Sequence, residues 1–303
     1  GQLWIKTATG TSSVMKGHQA AGTGAWAAGG TINTPRTTHA AFGTQTANVI
    51  SGPSDTNNCE SYDGSSWTEV NNPSDGGMVE CGSAGTATAG LRFAGKTAPD
   101  SPKVETESWD GTNWAEAGDM NTGRTELSGL GTQTAAFAVT GRTSPGATGC
   151  TVNVESWDGS SWSETTDVNT KRGNSGSAGT TTSGIIFGGK EGSPFLAITE
   201  EWDGTAWTEV GDLNQGRQQL GSAGLSGSFA LGFGGYTPSV TANTEQWNGS
   251  SWTEVGNLAA ATAGTRGTPA STSIATLATG GATSGTATEE FNIPVVTKTV
   301  GTD

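Results

Sequence analysis

Residues 107–114 read ESWDGTNW. The same pattern returns as ESYDGSSW at 60–67, ESWDGSSW at 155–162, EEWDGTAW at 200–207 and EQWNGSSW at 245–252. Each copy has a Glu, an aromatic residue two positions on, an Asp-Gly or Asn-Gly, and a closing Trp. Asp, Asn and Gly tolerate positive φ, so the dipeptide predicts a tight hairpin between two strands that each carry one large ring. The closing tryptophans Trp67, Trp114, Trp162, Trp207 and Trp252 are separated by 47, 48, 45 and 45 residues. A fixed period of about 40–50 residues marks a repeat architecture and suits a four-stranded propeller blade.

Working outward from the hairpin, each unit continues with a polar stretch such as VGDLNQGR, then a small-residue strand such as LGSAGLSGS from Leu220. A more apolar strand follows, as in FALGFGG from Phe229 or GIIFGG from Gly184. Small residues suit strands crowded near a propeller axis, and the rings suit the wider outer part, where neighbouring blades pack. Six such inner strand pairs begin near His39, Val79, Glu126, Asn174, Gln219 and Gly267, but only five hairpins are complete. EEFN at 289–292 matches the first half of a sixth hairpin, and GAW at 24–26 matches its second half. Trp26 then joins the five tryptophans as a repeat-core residue. The expectation is an all-β, six-bladed propeller with four antiparallel strands per blade, closed by N- and C-terminal strands sharing a blade. Such closure removes free sheet edges. Seven blades is the alternative, if residues 1–23 add strands of their own. The expected division is an N-terminal hairpin or attachment segment at 1–23, the propeller at 24–292 and a C-terminal tail at 293–303.

Composition narrows the function classes. The 303 residues include 49 Gly, with 14% charged and 32% hydrophobic residues. Such a low hydrophobic fraction can signal disorder, but 11 Trp and regularly placed glycines argue for a packed repeat. The formal net charge of −14 disfavours nucleic acid and anionic membrane, which need a surplus of Lys and Arg. No stretch approaches the roughly 18 apolar residues of a membrane span, and no signal-peptide pattern is present. The first residue is Gly1 and not Met, which points to a processed or excised product. Cys59, Cys81 and Cys150 form an odd set without metal-like spacing, so neither disulfide, metal nor cofactor is expected.

The repeat resembles the kelch repeat, which places a glycine pair after its second strand, then a Tyr and a Trp. The pair is intact at Gly188–Gly189, Gly234–Gly235 and Gly280–Gly281, and reduced to one Gly at Gly52, Gly95 and Gly141. Trp replaces the Tyr at four positions, and the spacing to the closing Trp is one residue shorter. This resemblance covers about residues 24–292 and implies the propeller fold, on which unrelated activities occur. A narrower resemblance is to the Gly/Thr-rich kelch-like repeat proteins of marine bacteriophage virions. It rests on LNTxR-like and GTQTAA segments, the SWTEV hairpin, the opening GQLWIKTATG and the ending EEFNIPVVTKTV. It implies a tail-fibre or particle-surface protein.

An Arg follows the blade Trp by ten residues in four units, at Arg36, Arg124, Arg172 and Arg217, and an Asn precedes each by three, at Asn33, Asn121, Asn169 and Asn214. The second unit has Gly77 at the Arg position; the sixth has Thr262, with Arg266 four residues late. In an antiparallel blade the Arg-bearing connection lies at the same end as the loops 53–59, 97–106, 142–154, 190–199, 236–244 and 282–288. Guanidinium groups around a mouth there would bind a carboxylate or sulfate, and arginines at the matching position line a ligand mouth in some kelch propellers. The alternative is that each Arg pairs with a Glu or a backbone carbonyl between blades. The sixfold Glu60, Glu107, Glu155, Glu200, Glu245 and Glu289 reads as structural, because catalysis needs one asymmetric site. Asp63, Asp110, Asp158 and Asp203 read as hairpin formers, not calcium ligands.

Catalysis is not expected. The hairpin is one residue short of a sialidase Asp-box, and Tyr62 and Tyr236 are the only tyrosines. Only His18 and His39 could serve a copper oxidase or a Ser-His-Asp site. The function expected is a non-enzymatic structural or adhesion module of a phage particle, contacting a host-surface glycan or protein through the loop face. Other virion proteins and further copies of this chain are its expected partners. The alternatives are an extracellular carbohydrate- or peptide-binding propeller on a bacterial surface and, third, a glycan-active enzyme.

Overall fold

Six antiparallel sheets surround a common axis in the computed structural model, which describes residues 3–9, 12–20, 23–52, 57–74, 76–97, 101–144, 149–272 and 274–300. Five sheets are contiguous four-stranded blades, spanning residues 40–70, 82–116, 128–164, 176–209 and 221–254. In the fourth blade, Gly176–Thr180 runs along the axis, followed outward by Ser183–Phe187, Thr199–Trp202 and Trp207–Glu209. The sixth blade joins the ends of the chain: Ala275–Thr279 pairs with Thr288–Asn292, which pairs with Ala25–Ala28. Phe291 faces Trp26 in that register, with ring centroids 5.2 Å apart. Its innermost place is taken by residues 266–272, whose backbone pairs with the sheet through isolated bridges from Arg266 to Thr279 and from Thr272 to Ala275. Pro269 has no N–H for a ladder there, and Thr268 Oγ1 meets Thr276 Oγ1 at 2.5 Å and Ser271 Oγ at 2.6 Å instead.

Strands Leu3–Thr9 and Ser12–Ala20 form a hairpin, and Val295–Val300 pairs with the latter. They make a separate three-stranded sheet and not a seventh blade. Residues 1–2, 10–11, 21–22 and 301–303, with parts of three expected loops at 53–56, 98–100 and 145–148, lie outside the described residues.

The hairpin differs from a two-residue turn. Tyr62 pairs with Trp67, so Asp63 to Ser66 form a four-residue loop. Asp63 N–H donates to Ser66 O at 3.2 Å, and its Oδ1 accepts the amides of Ser65 and Ser66 at 2.8 Å each. Asp110, Asp158, Asp203 and Asn248 repeat this cap. The amide of Ser66, then the hydroxyl and amide of Ser65, lower the Asp63 carboxyl to about 2. Ser161 and Ser160 lower Asp158 to about 2 in the same way. A carboxyl depressed on folding stabilises the fold above its ordinary pKa near 4, and that contribution vanishes as pH falls through the folded value. The melting temperature is therefore expected to fall between pH about 4 and about 2, and to fall less in D63N/D158N, as followed by circular dichroism. Equal acid sensitivity in that variant would contradict the role of these caps.

Each closing Trp is wedged against the preceding blade. Trp162 packs 4.8 Å from Phe93, Trp252 4.6 Å from Phe187 and Trp26 4.9 Å from Phe233. The indole N–H donates across the same interface to a Thr just before the repeated Glu: Trp26 to Thr244, Trp67 to Thr288, Trp162 to Thr106 and Trp252 to Thr199. Where the register supplies Cys59 instead of Thr, Trp114 is half-buried and donates to Asn71 O at 3.0 Å. Where it supplies Val154, the Trp207 Nε1 is buried without a partner among the described residues. An unmet buried donor costs about 1–3 kcal/mol. V154T is therefore expected to raise stability by about 1 kcal/mol, and T199V, which strands the Trp252 N–H, to lower it by about 1–3 kcal/mol. Urea titration of the two variants checks both signs.

Candidate functional site

The repeated Arg, Asn and Glu come together in the interior. In the fourth unit, Asn169 and Arg172 lie on the connection into the blade, and Glu200 lies on its third strand. Glu200 Oε2 accepts Asn169 N at 2.6 Å and Asn169 Nδ2 at 2.9 Å, and Oε1 accepts Thr170 N at 3.1 Å. Arg172 Nη2 closes the carboxylate at 2.5 Å, while Nη1 reaches the carbonyls of Gly188 at 3.3 Å and Ile198 at 2.7 Å. Arg36 with Asn33 and Glu60, Arg124 with Asn121 and Glu155, and Arg217 with Asn214 and Glu245 repeat the clamp. The four arginines are 0–2% exposed. Burial lowers the pKa of Arg124, Arg172 and Arg217, opposed by their glutamates.

This geometry places the guanidinium groups away from the expected open mouth. Their donors are directed at a Glu and two carbonyls of the blade that each Arg enters, so the pairing lies within one blade and not between blades, and each clamp ties a blade's entrance to the turn between its second and third strands. The second unit, with Gly77 at the Arg position, is repaired from another direction. Arg92, on strand Ala89–Phe93, stands opposite Glu107 and forms the ion pair, and the Ser74 amide and hydroxyl bind Glu107 Oε1 at 2.8 and 2.9 Å. The sequence signal for Arg92 was a charge in the apolar second strand, where the other blades carry Ile50, Ala138, Ile186, Gly232 and Ala278.

Two residues beyond each Arg position, or three in the second unit, the chain forms a ring that sequence reasoning missed. The amide of each ring residue donates to the carbonyl of the one in the preceding blade. Glu80 donates to Thr38, Glu126 to Glu80, Asn174 to Glu126, Gln219 to Asn174, Gly264 to Gln219 and Thr38 to Gly264, at 2.8–3.0 Å. The five non-glycine members have φ between 52° and 56°, a left-handed conformation that costs about 1–2 kcal/mol per residue. Six mutually satisfied amides offset that strain.

Next to this ring along the axis is a cavity of about 440 Å³, counting its solvent-open part, lined by Ser83, Ser128, Ser175, Ser177 and Ser222 together with Cys81 and Arg266. Most of these hydroxyls link neighbouring inner strands, as Ser83 Oγ to Ala41 O at 2.9 Å and Ser177 Oγ to Gly129 O at 2.8 Å. Arg266 breaks the symmetry. Its Nε donates to His39 O at 2.9 Å, and among the described residues it has no carboxylate in ion-pair contact. Burial lowers its pKa. His39 beside it is held neutral by burial and by the charges of Arg36 and Arg266, with Nε2 3.0 Å from Thr279 Oγ1. A cationic group among hydroxyls in this cavity is complementary to a small anion.

The repeated carboxylates show no acid–base pair of the glycosidase kind, because Glu60, Glu107, Glu155, Glu200 and Glu245 are at most 1% exposed and bound by donors. Among the described residues, no group of three His, Cys, Asp or Glu side chains is placed to hold a metal ion. Comparison with protein-family models and with curated protein sequences returns no match to this chain. The architecture is that of a six-bladed β-propeller, compatible with the kelch type.

Proposed function

We propose that this chain is a non-enzymatic binding module of a phage particle, whose propeller engages an acidic host-surface glycan. The observation that carries the binding reading is Arg266, a guanidinium in the axial serine-lined cavity without a carboxylate in ion-pair contact among the described residues. A carboxylate or sulfate is the ligand chemistry it favours, through charge-assisted hydrogen bonds. The non-enzymatic reading follows from the consumption of the repeated charges inside the clamps. The particle reading rests on the resemblance in the opening and closing motifs. The sheet formed by Leu3–Thr9, Ser12–Ala20 and Val295–Val300 lies outside the blades and offers an element for attachment to other virion proteins or to further copies of this chain.

The test is binding of the purified chain to neutral, carboxylated and sulfated glycans. The acidic glycans are expected to bind, and R266M to weaken them about tenfold or more, as loss of a charge-assisted contact does. Unchanged binding by R266M would remove the axial site, and turnover of any glycan would favour an enzyme. Mass spectrometry of purified particles tests the location: detection of the chain in the virion is expected, and its recovery only as a bacterial surface protein would favour the cellular alternative.

A further inference from the structure

The sixth unit carries the repeated glutamate without its arginine. Glu289 stands where Glu60, Glu155, Glu200 and Glu245 each receive a guanidinium, but the Arg position holds Thr262 and the Asn position holds Ala259. Glu289 keeps only the backbone contact of the clamp, from Ala259 N to Oε2 at 2.8 Å. Unlike its five counterparts it is half-buried and not sealed. No second-strand residue repairs the site as Arg92 does, since Ala278 stands opposite Glu289.

The missing side chain leaves a cleft. It is a shallow cleft of about 290 Å³ counting its solvent-open part, with Glu289, Thr262, Leu258 and Ala278 in its wall and the exposed Thr283 and Ser284 at its rim. Gly280 and Ala287 also line it. These are the counterparts of Gly188 and Ile198, whose carbonyls accept Arg172 Nη1 in the fourth unit. The cleft therefore retains the carboxylate, the two backbone positions and an apolar wall for an alkyl stem, and lacks the cation. Burial raises the Glu289 carboxyl above its usual range, as expected of a half-buried acid with no ion-pair partner among the described residues.

We propose that this cleft binds a guanidinium group supplied by another molecule, seated on Glu289 as arginine is seated in the complete clamps. Guanidinium is favoured over ammonium because the clamp geometry is a planar fork, one arm on the carboxylate and one on two carbonyls. The site is independent of Arg266 and of the axial reading.

The test uses the full chain and titration calorimetry with acetyl-Gly-Arg-Gly-amide, the matching lysine and citrulline peptides, and agmatine. The arginine peptide is expected to bind, the lysine peptide several-fold more weakly, and the uncharged citrulline peptide not at all. E289Q, which keeps the shape and removes the charge, is expected to lose at least tenfold in affinity, whereas R266M leaves it unchanged. Tighter binding of the peptide than of agmatine identifies a protein side chain as the source of the group; tighter agmatine identifies a free small molecule. T262R supplies the missing group in cis, and is expected to abolish binding and raise the melting temperature. Absence of binding to both guanidinium probes at millimolar concentration, or equal affinity in the wild type and E289Q, overturns the proposal.

Discussion

Replacing Arg172 by Met is expected to lower the stability of the fold by about 3–5 kcal/mol, the cost of leaving a buried charge without its partner. Glu200 would keep the Asn169 and Thr170 donors but lose its counter-ion in a site where both side chains are 0% exposed. The carbonyls of Gly188 and Ile198 would lose donors at the same time. A stability loss of this size is distinctive because Met preserves most of the buried apolar stem. The double variant R172M/E200L removes both charges and is expected to recover a large part of the loss, since apolar replacements of buried ion pairs are often neutral. Equilibrium urea unfolding of the wild type and both variants measures the difference. A loss below about 1 kcal/mol in R172M would be the behaviour of an exposed ion pair and would show that the clamp is open in solution.

Replacing Phe291 by Ala is the second large effect, expected at about 3–5 kcal/mol for a fully buried ring. Phe291 belongs to the blade made from both ends of the chain. Its ring packs with Trp26 in a cluster containing Ala223, Leu231 and Phe233 of the fifth blade and Ala278 of the sixth. Its loss therefore weakens two contacts at once: the seam between distant chain segments, and the packing of the sixth blade on the fifth. The same truncation at Phe137, 4% exposed within the third blade, breaks no chain-end seam. Both variants are expected to lose stability, but only F291A should expose strand Ala25–Ala28 to rapid amide exchange. Uniform exchange behaviour in the two would argue against closure at this blade.

The architecture was legible because the aromatic hairpin ties side-chain identity to a backbone event. Asp-Gly or Asn-Gly sets the loop, and the flanking rings face each other in register, as Trp202 faces Trp207. The split hairpin was legible for the same reason, with Phe291 and Trp26 found opposite one another. The clamps were legible as a recurrence but not as a direction. Spacing shows that Arg172 and Glu200 both repeat; it does not show that they meet 28 residues apart in the interior. Arg92 was hidden because it compensates from another strand. The axial ring left no side-chain trace: Thr38, Glu80, Glu126, Asn174, Gln219 and Gly264 share only a backbone conformation. The glycine pair illustrates the same limit. Ala94 and Thr140 stand where other units have its first Gly, yet they keep the left-handed φ of 55° and 57°, so the motif survives in the backbone where the letters have changed.

Closure of the ring by the two ends of the chain is tested most directly by a cross-link between them. Ala25 and Asn292 are exposed partners in the sixth blade. In A25C/N292C the two thiols are expected to form a disulfide readily under mild oxidation of the folded protein. The bond should join the ends of the chain and shift its mobility on a non-reducing gel, and either single variant should remain unchanged. Two freely reactive thiols that stay unjoined in the folded double variant would mean that the ends do not share a sheet.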